Sequence, residues 1–131
     1  MSLNSLMKFI LASTMSFFIA SASVAENIRV GVILGFTGPI ESLTPTMADS
    51  AELAFKEASD SNLLLGGGNY IVPLRADSTC VDADAATAAA ERLITSDEVS
   101  AIYGADCSGV TTAIANSVAI PNGVSMISPS A

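Results

Sequence analysis

The sequence predicts an α/β fold built on an open parallel sheet with helices on both faces, and three observations carry that prediction. Short apolar runs alternate with longer stretches of helical periodicity. Each apolar run stops at a cluster of small or hydroxyl residues, and the intervals between runs have room for a helix. Strands separated by helices of this length imply βαβ units with right-handed crossovers.

The first strand is expected over Ile28 to Leu34, an unbroken apolar run apart from Arg29 and Gly31. A helix follows, marked at three-to-four spacing by Met47, Ala51, Ala54, Phe55 and Ala58. Tyr70 to Ala76 is the second strand. The next helix carries Ala85, Ala86, Ala89, Ala90, Leu93 and Ile94 on one face, with Asp82 or Asp84 placed to cap it. Val99 to Tyr103 is the third strand, Val110, Ile114 and Val118 mark the third helix, and Val124 to Ile127 is the fourth strand. Pro73 refines the topology, because a proline within a strand is tolerated mainly at a sheet edge. The order 2-1-3-4 places the second strand there.

Residues 1–25 read as a secretory signal peptide: Lys8, an apolar stretch from Phe9 to Ala20, and the small-x-small site Ser23-Val24-Ala25 before Glu26. The apolar stretch is shorter than the roughly 18 to 20 residues needed to span a bilayer and is broken by Ser13, Thr14 and Ser16. No Cys follows the cleavage site, so a soluble mature protein is expected, in the periplasm. It would carry four basic residues, Arg29, Lys56, Arg75 and Arg92, against thirteen acids. That balance excludes nucleic acid as a partner, since phosphate neutralisation needs clustered Lys and Arg. Without any His, His-based catalysis and His metal sites are excluded as well. The acids are scattered and read as solvated surface.

Export places Cys80 and Cys107 in an oxidising space, where pairing is expected. Neither has a basic neighbour to lower a thiol pKa; Asp82 and Asp106 act in the opposite sense. In the order 2-1-3-4 the second and third strands flank the first and stand about 9 to 10 Å apart. That exceeds the ~7 Å Cα limit for a disulfide. The bridge therefore requires the loops past the strand ends to bend over the first strand and meet.

Two glycine patterns invite a nucleotide reading and fail it. Gly66-Gly67-Gly68-Asn69 precedes a strand instead of following one, so it reads as a helix-to-strand connection needing positive φ. Gly31, Gly35 and Gly38 do not fit the dinucleotide spacing, no acid stands at the ribose distance, and there is no phosphate-loop lysine.

Four segments in order, Ile28-Arg-Val-Gly-Val-Ile-Leu-Gly-Phe-Thr-Gly-Pro39, Asp77-Ser-Thr-Cys80, Gly104-Ala-Asp-Cys-Ser108 and Ile127-Ser-Pro-Ser-Ala131, carry a family resemblance. From Ile28 to Ala131 the chain resembles the amino-terminal part of a periplasmic solute-binding protein of the branched-chain amino acid (leucine-binding) type, with the type 1 periplasmic binding fold. The resemblance implies that residues 26–131 are part of the first of two lobes. It further implies that another strand, more helices and a second lobe would follow.

Ser108 opens the third helix and admits two readings. Its hydroxyl can cap the helix, or, with the free N–H groups there, it can hold a carboxylate. The resemblance implies the second, a hydrogen bond to the ligand's α-carboxylate. Ser130 is a polar turn residue after Pro129; in the family the corresponding backbone carbonyl faces the ligand's α-ammonium. Thr37, in Thr37-Gly38-Pro39, would form a third wall. Leu43 stands where some members carry a large aromatic against the ligand side chain, or it packs only on its own helix. The departure at Leu43 leaves room for other amino acids, amides or short organic acids.

The function implied is a non-catalytic, cofactor-free receptor that delivers a small ligand, an amino acid or a similar molecule, to an ABC permease in the membrane. A sensor ectodomain with the same fold is the alternative within binding functions. An exported α/β hydrolase would need a nucleophile with a base partner, and the chain offers neither His nor G-x-S-x-G.

Overall fold

The computed structural model describes residues 26–131. The expected signal peptide, residues 1–25, lies outside the described residues. The elements run β1 (Asn27–Leu34), α1 (Thr44–Asp60), a short 3-10 turn (Leu64–Gly66), β2 (Tyr70–Asp77), α2 (Ala83–Thr95), β3 (Ala101–Gly104), α3 (Ser108–Ile114, continuing as a wider turn through Ala115–Ala119) and β4 (Ser125–Ile127). The four strands form one parallel sheet in the order β2-β1-β3-β4, as expected. Pro73 lies in the edge strand β2, paired with Val30.

β1 is buried continuously from Val30 to Leu34 because helices cover it from both sides. Its alternation divides the core. Val32 and Leu34 face α1, where they meet Ala48, Phe55, Met47 and Tyr103. Ile33 faces α2 and α3, together with Ile102, Ala86, Ala90, Leu93, Val110, Ile114 and Val118. Val32, Ile33 and Leu34 are wholly buried, and each such side chain contributes about 1.5 to 3 kcal/mol of transfer free energy. Gly31 is small for a packing reason, since a Cβ there would lie 2.9 Å from a terminal methyl of Leu93.

The helix faces follow the periodicity with one correction. On α1 the buried stripe is Thr44, Ala48, Ala51 and Ser59, with Met47, Phe55 and Ala58 partly covered, while Ala54 is exposed. The polar ends of the stripe displace it from the apolar pattern. Thr44 donates its hydroxyl to the Gly35 carbonyl (3.0 Å). Ser59 donates to the Phe55 carbonyl (2.7 Å) and accepts from the Ile71 N–H (3.0 Å). Two buried hydroxyls thus do what apolar residues do elsewhere on the face, and Ala54 turns outward. On α2 the expected face is covered, and Asp82, not Asp84, caps it by accepting from the Asp84 and Ala85 N–H groups at 3.0 Å each.

β3 begins two residues later than expected. Val99 is buried but belongs to the incoming loop, its N–H donated to the Leu93 carbonyl (3.1 Å). The glycine run enters β2 as a connection in the left-handed region, with φ of 91°, 94° and 76° at Gly66, Gly67 and Gly68. Asn62 closes it, accepting the Gly68 N–H at 2.7 Å. No helix among the described residues is long and apolar enough to cross a membrane.

Leu93 fills the centre of the larger core. Leu93→Ala is expected to lower unfolding free energy by about 2 to 5 kcal/mol in urea denaturation. Leu53→Ala, on the exposed side of α1, should stay within about 0.5 kcal/mol of the parent.

Candidate functional site

In a parallel sheet all four strands deliver their following loops to one rim, and the crevice outside the carboxyl ends is where such folds bind ligands. Cys80 and Cys107 meet there as a disulfide with Cα atoms 5.2 Å apart. The β2–α2 loop reaches across by bending back at Thr79 and Cys80, with φ of 57° and 71°. For residues other than Gly that conformation costs about 1 to 2 kcal/mol each. The bridge packs over the end of β1: a Cβ on Gly35 would lie 3.2 Å from the Cys80 Cβ. In the chain-entropy picture, closing a loop of 27 residues' separation stabilises the fold by about 3 to 4 kcal/mol.

Asp106, the residue before Cys107, is 6% exposed. One carboxylate oxygen accepts the Gly35 N–H at 2.9 Å and the other accepts the Ser78 hydroxyl at 3.4 Å. Its backbone carbonyl accepts the Ser130 hydroxyl at 2.7 Å. Ser128 ties the same region, donating to the Ala105 carbonyl and accepting the Ala131 N–H at 2.8 Å. The four loops past the strand ends are therefore linked to one another, and no buried side-chain nitrogen or oxygen among the described residues lacks a partner.

Of the residues singled out from sequence, Ser130 is bonded to the carbonyl of Asp106, two residues before Ser108. Cys107, not Ser108, occupies the N-cap position of α3, and no side chain caps that end. The capping reading of Ser108 is thereby overturned: as the first helical residue its hydroxyl cannot reach forward to the amides a cap serves. Ser108 is exposed. The Ser130 hydroxyl is engaged by Asp106, so Ser130 is more than a generic turn residue.

Thr37 is drawn toward β2. Its hydroxyl donates to one Asp77 oxygen at 2.6 Å and its N–H to the other at 3.3 Å, where the Thr79 N–H also donates at 2.8 Å. Gly38 holds the loop close, with φ +98° and a notional Cβ 2.5 Å from the Thr79 carbonyl oxygen. Leu43 precedes α1 and is 58% exposed, so it does not bury itself against its own helix.

Each of the four basic side chains among the described residues is paired with acid: Arg29 with Glu98 (3.4 Å), Lys56 with Asp60, Arg92 with Asp97, and Arg75 with Asp49 and Glu52 at 2.6 Å each. Arg75 also lies 5.7 Å from the Phe36 ring centroid. Those two carboxylates raise the Arg75 pKa further above its ordinary value. An anion at the rim would accordingly be held by backbone N–H groups and hydroxyls.

Sequence reasoning missed Asp77, Ser78 and Asp106 as members of the rim. Asp77 stood in view as the first residue of Asp77-Ser-Thr-Cys80, an arrangement in which a carboxylate accepts the N–H two residues on. The partners of Asp106 lie 71 and 28 residues away, so no local pattern announces them.

A family model described as periplasmic binding protein matches residues 27–131. The chain belongs to this family. The periplasmic binding protein fold is shared with the branched-chain amino acid transporter substrate-binding protein LivJ of Streptococcus pneumoniae in complex with isoleucine. That match has 28% identity and a TM-score of 0.70, covering 80% of this chain and 29% of that one. The leucine-binding protein LivK of Thermotoga maritima matches at 27% identity and TM-score 0.66, over 79% of this chain and 27% of that one. A solute-binding protein of an R. palustris ABC transporter, in complex with 4-hydroxybenzoate, shares the fold at 21% identity and TM-score 0.67, over 81% of this chain and 27% of that one. The chain thus spans less than a third of the length of these relatives. No curated protein sequence matches it.

Asp77 gives the rim a pH signature. Burial raises its pKa, but the Thr37 hydroxyl and the N–H groups of Thr79, Thr37 and Phe36 outweigh that and leave it lowered. A group with a lowered folded pKa stabilises the fold above its unfolded value, about 3.9, and that contribution disappears as pH falls through the folded value. Asp77→Asn is expected to flatten the fall of the thermal midpoint below about pH 4. An unchanged acid limb would show that Asp77 does not carry it.

Proposed function

We propose that residues 26–131 form part of the first lobe of an extracytoplasmic substrate-binding protein that serves an ABC importer without itself catalysing a reaction. Its ligand would be an amino acid of the branched-chain type, or a related small amide or organic acid. The permease is its partner, and the periplasm its compartment after removal of residues 1–25. The observation that carries the proposal is the family match over 27–131 together with a hydroxyl-rich, disulfide-closed rim at the strand carboxyl ends. In this reading Ser108 and the N–H groups opening α3 receive the ligand carboxylate, a role suited to a rim whose bases are already paired. The Ser130 carbonyl receives the ammonium, Thr37 forms a third wall, and Leu43 meets the ligand side chain.

Two measurements test this reading. Exported protein should begin at or near Glu26 and fractionate with the periplasm; an intact Met1 end retained in the membrane refutes the export step. Ser108→Ala should weaken L-isoleucine binding by roughly ten- to a hundredfold in calorimetric titration, the loss of a hydrogen bond to a charged group worth about 1.5 to 3 kcal/mol. Unchanged affinity would reject Ser108 as a carboxylate ligand.

A further inference from the structure

A buried carboxylate that makes no ion pair among the described residues stands at the turn leading into the proposed site. Asp106 is 6% exposed, and its oxygens accept from Gly35 and Ser78, in the loops after β1 and β2. Through its carbonyl the same residue receives the Ser130 hydroxyl from the segment after β4. Two residues further on, the chain opens α3 at Ser108. One residue therefore touches segments following three other strands and adjoins both the proposed carboxylate and ammonium positions.

Burying a carboxylate without a cation is costly, and a neutral side chain of the same shape would fill the space. The disulfide already joins the β2 and β3 loops covalently. It packs against Gly35 but bonds neither Gly35 nor Ser130, and Asp106 hydrogen-bonds both. We propose that Asp106 is the positioning residue of the ligand rim, setting the α3 amide end and the Ser130 carbonyl in register by tying the β1, β2 and β4 loops to the β3 turn. This rests on the reading of the rim as the ligand site. Asp106 is not assigned a contact with ligand, since both its oxygens face inward partners.

The geometry makes Asn and Ala behave differently. In Asp106→Asn the amide oxygen can still accept the Gly35 N–H, and the amide NH2 can donate to the Ser78 hydroxyl, which is free to act as acceptor. Asp106→Ala leaves the Gly35 N–H and the Ser78 hydroxyl buried and unpaired.

The test joins two readouts on the whole protein, in conditions where each variant is folded. In amide hydrogen exchange, Asp106→Ala should speed exchange at Gly35 at least tenfold and shift the Ser108 and Gly109 amide resonances, with Val32 in β1 unaffected. Asp106→Asn should restore both. In calorimetric titration with L-isoleucine, Asp106→Ala should lose at least tenfold in affinity while Asp106→Asn stays within about threefold of the parent. Ser59→Ala serves as the control, because its hydroxyl holds Ile71 at the opposite end of β2 and its loss should lower stability without moving affinity.

If Asp106→Ala does not fold, Ser78→Ala removes one donor and should shift the same Ser108 and Gly109 resonances. Unmoved resonances in the folded variant, or an affinity loss in Asp106→Asn equal to that in Asp106→Ala, would overturn the proposal. Parent protein that fails to bind L-isoleucine would count against the ligand reading alone, and the exchange arm would still decide the positioning role.

Discussion

The structure depends on the burial of β1. It is an interior strand, with β2 at one flank and β3 at the other, and from Val30 to Leu34 it is buried without interruption. Every helix packs, directly or through its neighbours, against surface that β1 anchors. A parallel strand in that position can expose almost nothing, which is why the run Val30 to Leu34 is apolar apart from a glycine that makes room for Leu93. Right-handed crossovers then fix which loops arrive at the same rim.

At that rim the problem changes from apolar burial to polar satisfaction. Loops crossing above β1 carry N–H and carbonyl groups that no ladder pairs, and a closed rim leaves little water to serve them. The chain answers with short side chains that bond over long sequence separations: Asp106 to Gly35 and Ser78, Asp77 to Thr37, Ser130 to Asp106, Thr44 to Gly35. The disulfide supplies a covalent link in the same layer. Left-handed conformations at Thr79 and Cys80 are held against their local preference by these bonds. The result is a rim held by neutral donors and carboxylates, with the positive side chains among the described residues paired with acids.

Much of the fold was legible because its signals are local. Strand runs, helical spacing at Ala86, Ala90 and Leu93, the edge position of Pro73 and the Asp82 cap each depend on residues within a turn or two of one another. The misreadings share a cause. Ala54 looked like core because apolar spacing cannot register that Thr44 and Ser59 are buried with their hydroxyls satisfied. Capping stayed open for Ser108 because residue type does not reveal that Cys107 takes the N-cap position. Val99 reads as strand by composition but spends its N–H on Leu93 in the loop.

The sequence by itself determined the α/β class, the edge position of the second strand through Pro73, the pairing of the two cysteines and the family, because each rests on short-range pattern or on the order of motifs along the chain. Only the tertiary structure decided which polar groups share the rim. Asp106 and Gly35 are 71 residues apart, and Thr37 and Asp77 are 40. Their hydrogen bonds exist because parallel strands of different sequence position end at one edge, a proximity that side-chain periodicity does not encode.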